Sequence, residues 1–269
     1  MSRDRFEFGK NWKFFLEWLD DERIEKACDS LKEWIGVDSL SGKTFLDVGS
    51  GSGLFSLAAR KLGAKVSSFD YDPYSVKCTK TLRKRFDDPE DPDWTVERGD
   101  ALDPEYLSKY GQQDVVYSWG VLHHTGNMYK ALDNMVPLVK PGGFLMIAIY
   151  NNQGTYTKMW TWVKKTYNRC PESLRFLLEI PVFIRMWLPP TIKDFIRLKP
   201  FATWKGRKEE RGMSALVDFY DWIGEWPFET AKPEEILAFY RKRGFTLEKL
   251  FTCGNGKGCN QFLFKKVDN

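Results

Sequence analysis

Two carboxylates and three glycines in a fixed order carry the first chemical signal in this chain. Thr44-Phe45-Leu46-Asp47-Val48 is apolar and too short for a helix, so it reads as a buried strand. It runs into Gly49-Ser50-Gly51-Ser52-Gly53, where missing side chains let backbone amides approach a ligand. A helix over Leu54 to Leu62 follows, and its positive N-terminus favours an anion. Lys65-Val66-Ser67-Ser68-Phe69 makes a second strand that closes on Asp70, where a carboxylate accepts both hydrogen bonds of a ribose diol. The βαβ start therefore predicts a nucleoside-bearing ligand.

Glycine spacing separates two ligand classes. Dinucleotide sites use Gly-x-Gly-x-x-Gly, which lays a pyrophosphate against the helix start. Here the run is Gly49-x-Gly51-x-Gly53, with Leu54 where that pattern continues. Asp47 would sit poorly beside a pyrophosphate and well beside an ammonium group. S-adenosylmethionine offers an ammonium, a carboxylate, a sulfonium and a ribose, and no phosphate. The segment Leu46-Asp47-Val48-Gly49-Ser50-Gly51-Ser52-Gly53 resembles the first motif of the class I S-adenosylmethionine-dependent methyltransferases.

The resemblance runs on along the chain. Phe69-Asp70-Tyr71-Asp72-Pro73 is similar to the second-strand motif, which implies Asp70 on the ribose and Tyr71 against the adenine. Arg98-Gly99-Asp100-Ala101 follows a short strand, and the resemblance implies Asp100 and Ala101 near the adenine edge. Asp114 to His124 is a fourth strand with its loop, bringing Ser118 and Trp119 to the cofactor, and Leu138 to Tyr150 is the glycine turn and fifth strand. The implied fold is α/β and Rossmann-like: a mostly parallel seven-stranded sheet with helices on both faces, plus a helical lid insert. The implied cofactor is S-adenosyl-L-methionine, with S-adenosyl-L-homocysteine as product. Catalysis needs no metal, and Cys253 and Cys259 alone make a weak zinc signal.

An oxygen nucleophile needs a general base unless it is already ionised, and histidine suits neutral pH. The only two histidines stand together as His123-His124 beside the fourth strand, and His124 is slightly favoured. A second constellation spans Arg211 to Glu229 and resembles a segment of methyltransferases labelled ubiquinone-biosynthesis-like. There Asp218 and Asp221 lie three residues apart on one helix face, with Trp222 and Glu229 close in sequence. With Tyr150 and Trp12 they are the expected acceptor walls, since pockets mix aromatic surface with a few fixed polar groups. Buried packing is the competing reading for each aromatic.

Four segments follow: an N-terminal helical cap (1–40), the cofactor-binding core (41–150), a helical insert (151–230) and a closing helix with a strand pair (231–269). Gly36 should stop the second N-terminal helix, and Pro233 should open a helix that Gly244 closes. Within the insert, helices are expected over Thr155 to Tyr167, Pro171 to Ile180 and Thr191 to Leu198, punctuated by Pro181, Pro189 and Pro190. Net charge is only +4, yet Asn151 to Met213 holds 13 Lys and Arg against 5 Asp and Glu. Large apolar residues interleave with cations from Leu174 to Leu188, as in segments that contact an anionic acceptor or a membrane surface. A lid whose arginines face water is the simpler reading. Five scattered cysteines and the start Met1-Ser2-Arg3-Asp4-Arg5 fit a reducing, cytoplasmic setting. The expected activity is methyl transfer to a small molecule, at a hydroxyl oxygen. The alternatives are RNA methylation, which the modest charge disfavours, and a non-catalytic cofactor-binding regulator.

Overall fold

The computed structural model describes residues 19–211, 215–254, 256 and 258–268. Trp12 lies outside the described residues, as does the part of the expected N-terminal helical cap before Leu19. The chain divides into two compact units, the described part of Glu7–Gly154 with Glu229–Asn269, and Thr155–Phe228.

The larger unit opens with α1 (Asp21–Ile35), capped by the Asp20 side chain, which accepts from the Arg23 N–H. It ends at Gly36, whose left-handed φ of 76° lets its N–H reach the Lys32 carbonyl. One face, Ile24, Ala27, Leu31 and Ile35, is buried at helical spacing. Strands and helices then alternate: β1 (Thr44–Val48), α2 (Leu54–Lys61), β2 (Lys65–Asp70), α3 (Pro73–Phe86), β3 (Trp94–Arg98), α4 (Pro104–Ser108), β4 (Gln113–Trp119), α5 (Met128–Met135) and β5 (Val139–Tyr150). After the insert come α10 (Pro233–Arg241), β6 (Phe245–Phe251) and β7 (Cys259–Lys266). The seven strands form one sheet in the order β3-β2-β1-β4-β5-β7-β6.

β1 to β5 pair in parallel, whereas β7 runs antiparallel to both β5 and β6. Alternation sends Leu46, Val48, Val116, Leu145 and Ile147 into one core layer and Phe45, Val115, Tyr117 and Met146 into the other. Both faces are therefore covered, as near-continuous apolar strands require. The order reverses at β1 and β4, so a crevice opens beyond their C-terminal ends.

The smaller unit contains α6 (Thr155–Arg169), α7 (Phe176–Ile196), α8 (Ala202–Arg211) and α9 (Ala215–Gly224). Its core is Trp160, Val163, Tyr167, Val182, Phe219 and Ile223. The expected breaks inside Phe176–Ile196 do not occur: one helix runs through Pro181, Pro189 and Pro190. The carbonyls four residues before these prolines belong to Leu177, Arg185 and Met186. Leu177 and Arg185 are exposed, so the helix carries these prolines on its solvent side, while buried Val182 and Trp187 anchor it.

A buried ion pair holds this unit together. Lys164 is 0% exposed, and its Nζ donates to Glu225 Oε1 at 2.8 Å and also to the Trp222 carbonyl. The same ammonium lies 4.1 Å from the Trp222 ring centroid and 4.9 Å from that of Phe228. Removing one partner leaves the other charge buried and unpaired. Lys164→Met should therefore destabilise the insert by about 3–5 kcal/mol, and Lys164→Met with Glu225→Leu should recover most of that loss. Limited proteolysis within Thr155–Phe228 across a denaturant series reads both variants, and equal protection of Lys164→Met and wild type would refute the assignment.

Candidate functional site

Gly49, Gly51 and Gly53 adopt φ of 82°, 54° and 85°, the left-handed region that costs other residues strain. Space adds a second demand at Gly49, where a Cβ would lie 2.4 Å from Val121 Cγ1. A Cβ at Gly53 would lie 2.8 Å from Thr79 Cγ2. The turn is held by the Gly49 and Ser50 N–H groups, both donating to the Phe69 carbonyl. Ser50 Oγ and Thr79 Oγ1 share a hydrogen bond of 2.9 Å. Backbone thus faces the crevice, and Gly53 is the N-cap of α2 without a side-chain cap.

Asp70, at the end of β2, binds this turn from the side. Its Oδ2 accepts from the Gly51 N–H and its Oδ1 from the Asp72 N–H, both at 2.9 Å. The Tyr71 backbone is a third donor to this carboxylate, and an ionised carboxylate has about four acceptor positions, so acceptor capacity remains for a ribose hydroxyl. Burial pushes the Asp70 carboxyl up to about 6, against the lowering effect of those amides. Tyr71 is exposed beside it, with the Arg98 guanidinium carbon 5.5 Å from its ring centroid. Asp100 Oδ1 accepts from the Leu102 N–H, and buried Ala101 offers its carbonyl to Asn134 Nδ2.

Asp47 is 2% exposed and terminates a polar chain through the core. Trp94 Nε1 donates to Ser68 Oγ at 2.9 Å, Ser68 Oγ donates to Ser56 Oγ at 2.8 Å, and Ser56 Oγ donates to Asp47 Oδ2. Burial raises the Asp47 carboxyl to about 7, opposed by Ser56 and reinforced by Asp70. The sequence flagged Asp47 but not Ser56, Ser68 or Trp94, because only the β1–β2–β3 pairing and the α2 register bring them into line.

Beyond β4, Gly120 turns with φ 74° into a short 3-10 helix, Leu122–His124. His123 is 0% exposed, and among the described residues its ring nitrogens have no partner at full hydrogen-bond geometry, the Ala148 backbone being the group that comes near enough to favour its charged form. Desolvation, then the neighbouring His124, holds its pKa well below the usual histidine value. His124 is half-buried. Their ring centroids lie 4.2 Å and 5.5 Å from that of Tyr150, at the end of β5, and 4.3 Å from each other. Since Val121 meets Gly49, this aromatic trio neighbours the glycine turn.

Other expected site residues have different surroundings. Ser118 is fully buried and its Oγ donates to the Val48 carbonyl, tying β4 to β1. Trp119 stacks on Tyr117 at 5.9 Å and on Phe55 at 6.3 Å, with Trp34 edge-on at 6.1 Å. Glu229 donates its N–H to the His123 carbonyl, and its carboxylate accepts from the Met128 N–H at 3.0 Å, at the start of α5. It positions the histidine turn, a role that sequence spacing does not reveal. Trp222 belongs to the insert, edge-on to Trp160 at 4.2 Å, which favours the packing reading. Asp218 and Asp221 lie on α9.

A family model described as a methyltransferase domain matches residues 19–204. A ubiquinone biosynthesis O-methyltransferase of Xanthomonas campestris pv. campestris is 28% identical over 195 residues, covering 70% of this chain and 72% of its own. Among solved structures, a SAM-dependent methyltransferase from Aquifex aeolicus aligns at TM-score 0.51 and 15% identity, covering 96% of this chain and 98% of its own. Magnesium protoporphyrin IX methyltransferase from Synechocystis PCC 6803, solved with bound SAH, aligns at TM-score 0.53 and 14% identity over 91% of this chain and 84% of its own.

The raised carboxyls fix a sign for stability against pH. A folded state that holds Asp47 at about 7 binds more protons than the unfolded chain between roughly pH 4 and 7, so stability falls as pH rises through that window. Asp70, at about 6, acts in the same direction. Asp47→Asn should flatten the decline and leave the protein about 2–4 kcal/mol more stable than wild type at neutral to mildly alkaline pH. Denaturant unfolding at a series of pH values checks this, and parallel curves for the two proteins would contradict it.

Proposed function

The chain belongs to the methyltransferase-domain family and is a class I S-adenosylmethionine-dependent methyltransferase, and from that premise we propose that it methylates a hydroxyl oxygen of a small-molecule acceptor with His124 as general base. The supporting observation is the half-buried His124 beside Tyr150, next to the side-chain-free turn that Val121 packs against. The kinship with ubiquinone biosynthesis O-methyltransferases supports oxygen as the acceptor atom.

The residues fit the cofactor part by part. Gly49, Gly51 and Gly53 leave room for its amino-acid portion against backbone amides, and Asp70 receives the ribose with the acceptor capacity its backbone donors leave. Tyr71 covers the adenine, and Asp100 with Ala101 lines its edge. Asp47 sits beneath the turn and favours the cofactor's ammonium electrostatically from there. When bound, S-adenosylmethionine supplies an electrophilic methyl group on its sulfonium. His124 would take the proton of the acceptor hydroxyl, and the bound cofactor would give up its methyl group to that oxygen and keep its sulfur as a neutral thioether. Holding the two reactants in line supplies much of the acceleration. His123, buried and neutral, fixes the imidazole of its neighbour through ring contact, and Glu229 holds the turn that carries both.

Calorimetry should find S-adenosylmethionine binding without added metal, and Asp70→Ala should weaken it by about 1.5–3 kcal/mol. Tighter binding of NAD would refute the assignment of Asp47 to an ammonium group and of the turn to S-adenosylmethionine. His124→Ala should lower turnover roughly 10²–10⁴-fold while cofactor affinity stays nearly constant. Turnover is read by transfer of labelled methyl into fractionated extract, where label released as methyl iodide by mild hydriodic acid marks an oxygen-bound methyl. Full activity in both single histidine variants would remove the general base.

A further inference from the structure

An i, i+4 row of large apolar side chains runs the length of Phe176–Ile196: Phe176, Ile180, Ile184, Leu188, Ile192 and Ile196. Each is 48–77% exposed. A row of this kind is normally what a helix packs into a neighbour, and soluble surfaces scatter their apolar residues singly. Here the core of the insert is made by other side chains of the same helix, chiefly Val182 with Phe183 and Leu178. Leu198 and Phe201, both exposed, extend the apolar surface past the helix end.

Beyond exposed Glu172, which precedes the helix by one turn, the exposed charge along the row has one sign. From Leu174 to Gly206 the exposed ionisable side chains are Arg185, Lys193, Arg197, Lys199 and Lys205, all cationic. Both acids of that stretch point into the unit: Glu179 accepts from the Tyr167 hydroxyl at 2.9 Å, and buried Asp194 accepts from the Thr203 N–H and Oγ1. Arg185, Lys193 and Arg197 occupy the adjacent i, i+4 row, one residue after Ile184, Ile192 and Ile196. A second copy of the chain packed on this row would bring like charges together. An anionic surface with an apolar interior matches both the row and its neighbour.

We propose that Phe176–Ile196 lies in the interface of an anionic phospholipid bilayer, its apolar row in the acyl boundary and its cations among the headgroups. The helix lies on the membrane rather than across it, since no helix among the described residues is long and apolar enough to span. The proposal is independent of the methyl acceptor, because it rests on the insert's own exposed side chains.

The test is co-sedimentation of the full chain with phosphatidylglycerol or phosphatidylcholine vesicles. Binding to phosphatidylglycerol at low salt, released at high salt, is expected, with little binding to phosphatidylcholine. Ile184→Glu with Leu188→Glu should abolish it, and Lys193→Glu with Arg197→Glu should weaken it roughly fivefold per cation removed. Both pairs are exposed, and an unchanged protease-cleavage pattern verifies that the insert stays folded. No binding at low salt, equal binding to both lipids, or retained binding by the folded Ile184/Leu188 variant would overturn the proposal. So would a lipid-free dimer in sedimentation velocity that the same variant dissolves, because a second copy would then cover the row.

Discussion

The site depends on one steric constraint: the chain leaving β1 must turn without side chains. Gly49 is held to this twice, by a left-handed φ and by Val121 standing where its Cβ would be. The contact couples the two strands on either side of the topological switch, since the residue that fills the space above Gly49 also starts the turn carrying both histidines. Asp70 completes the coupling from β2 through the Gly51 N–H. The glycine turn and the histidine pair are consequently positioned by one packing contact at the ends of three adjacent strands.

Beneath that turn the larger unit accepts an electrostatic cost. Asp47 has lost water and gained a single hydroxyl donor, and the serines behind it point their protons along one direction from Trp94. An oriented chain of this kind is pre-arranged for a nearby cation and poorly suited to a second anion. The raised Asp47 and Asp70 carboxyls express the same strain, because in both burial outweighs the hydrogen bonds. A bound ammonium would relieve it, which links cofactor capture to the charge state of the core.

Local signals made the sheet legible. Gly36 stops its helix as an αL residue, Pro233 opens a helix that ends at Arg241 with Lys242 as its cap, two residues short of the expected stop at Gly244, and the apolar runs from Thr44 and Asp114 become parallel strands. The strand pair at 245–266 is antiparallel, as the family pattern implies. Tertiary packing decided what the sequence did not show. Prolines that signal breaks are absorbed inside Phe176–Ile196, where two of the three residues that lose a backbone donor, Leu177 and Arg185, are exposed. Ser118 and Glu229 have polar side chains close to the site in sequence, yet the first ties two strands together and the second caps α5. Lys164 and Glu225 lie far apart in the chain and give no periodic signal, so their pairing emerges only when α6 meets the end of α9.

The position of β7 bears on how the protein is made. Its antiparallel place between β5 and β6 means that one long edge of β5 finds its partner only in Cys259–Lys266. The whole insert and α10 are synthesised in between. At ribosomal speeds of about 5–20 residues per second that delay lasts roughly 5–20 s, during which an apolar strand containing Leu145, Ile147 and Ile149 presents unpaired backbone to its surroundings. Nascent-chain folding should therefore be late and abrupt, with the half-built sheet a client for chaperones until the final hairpin arrives.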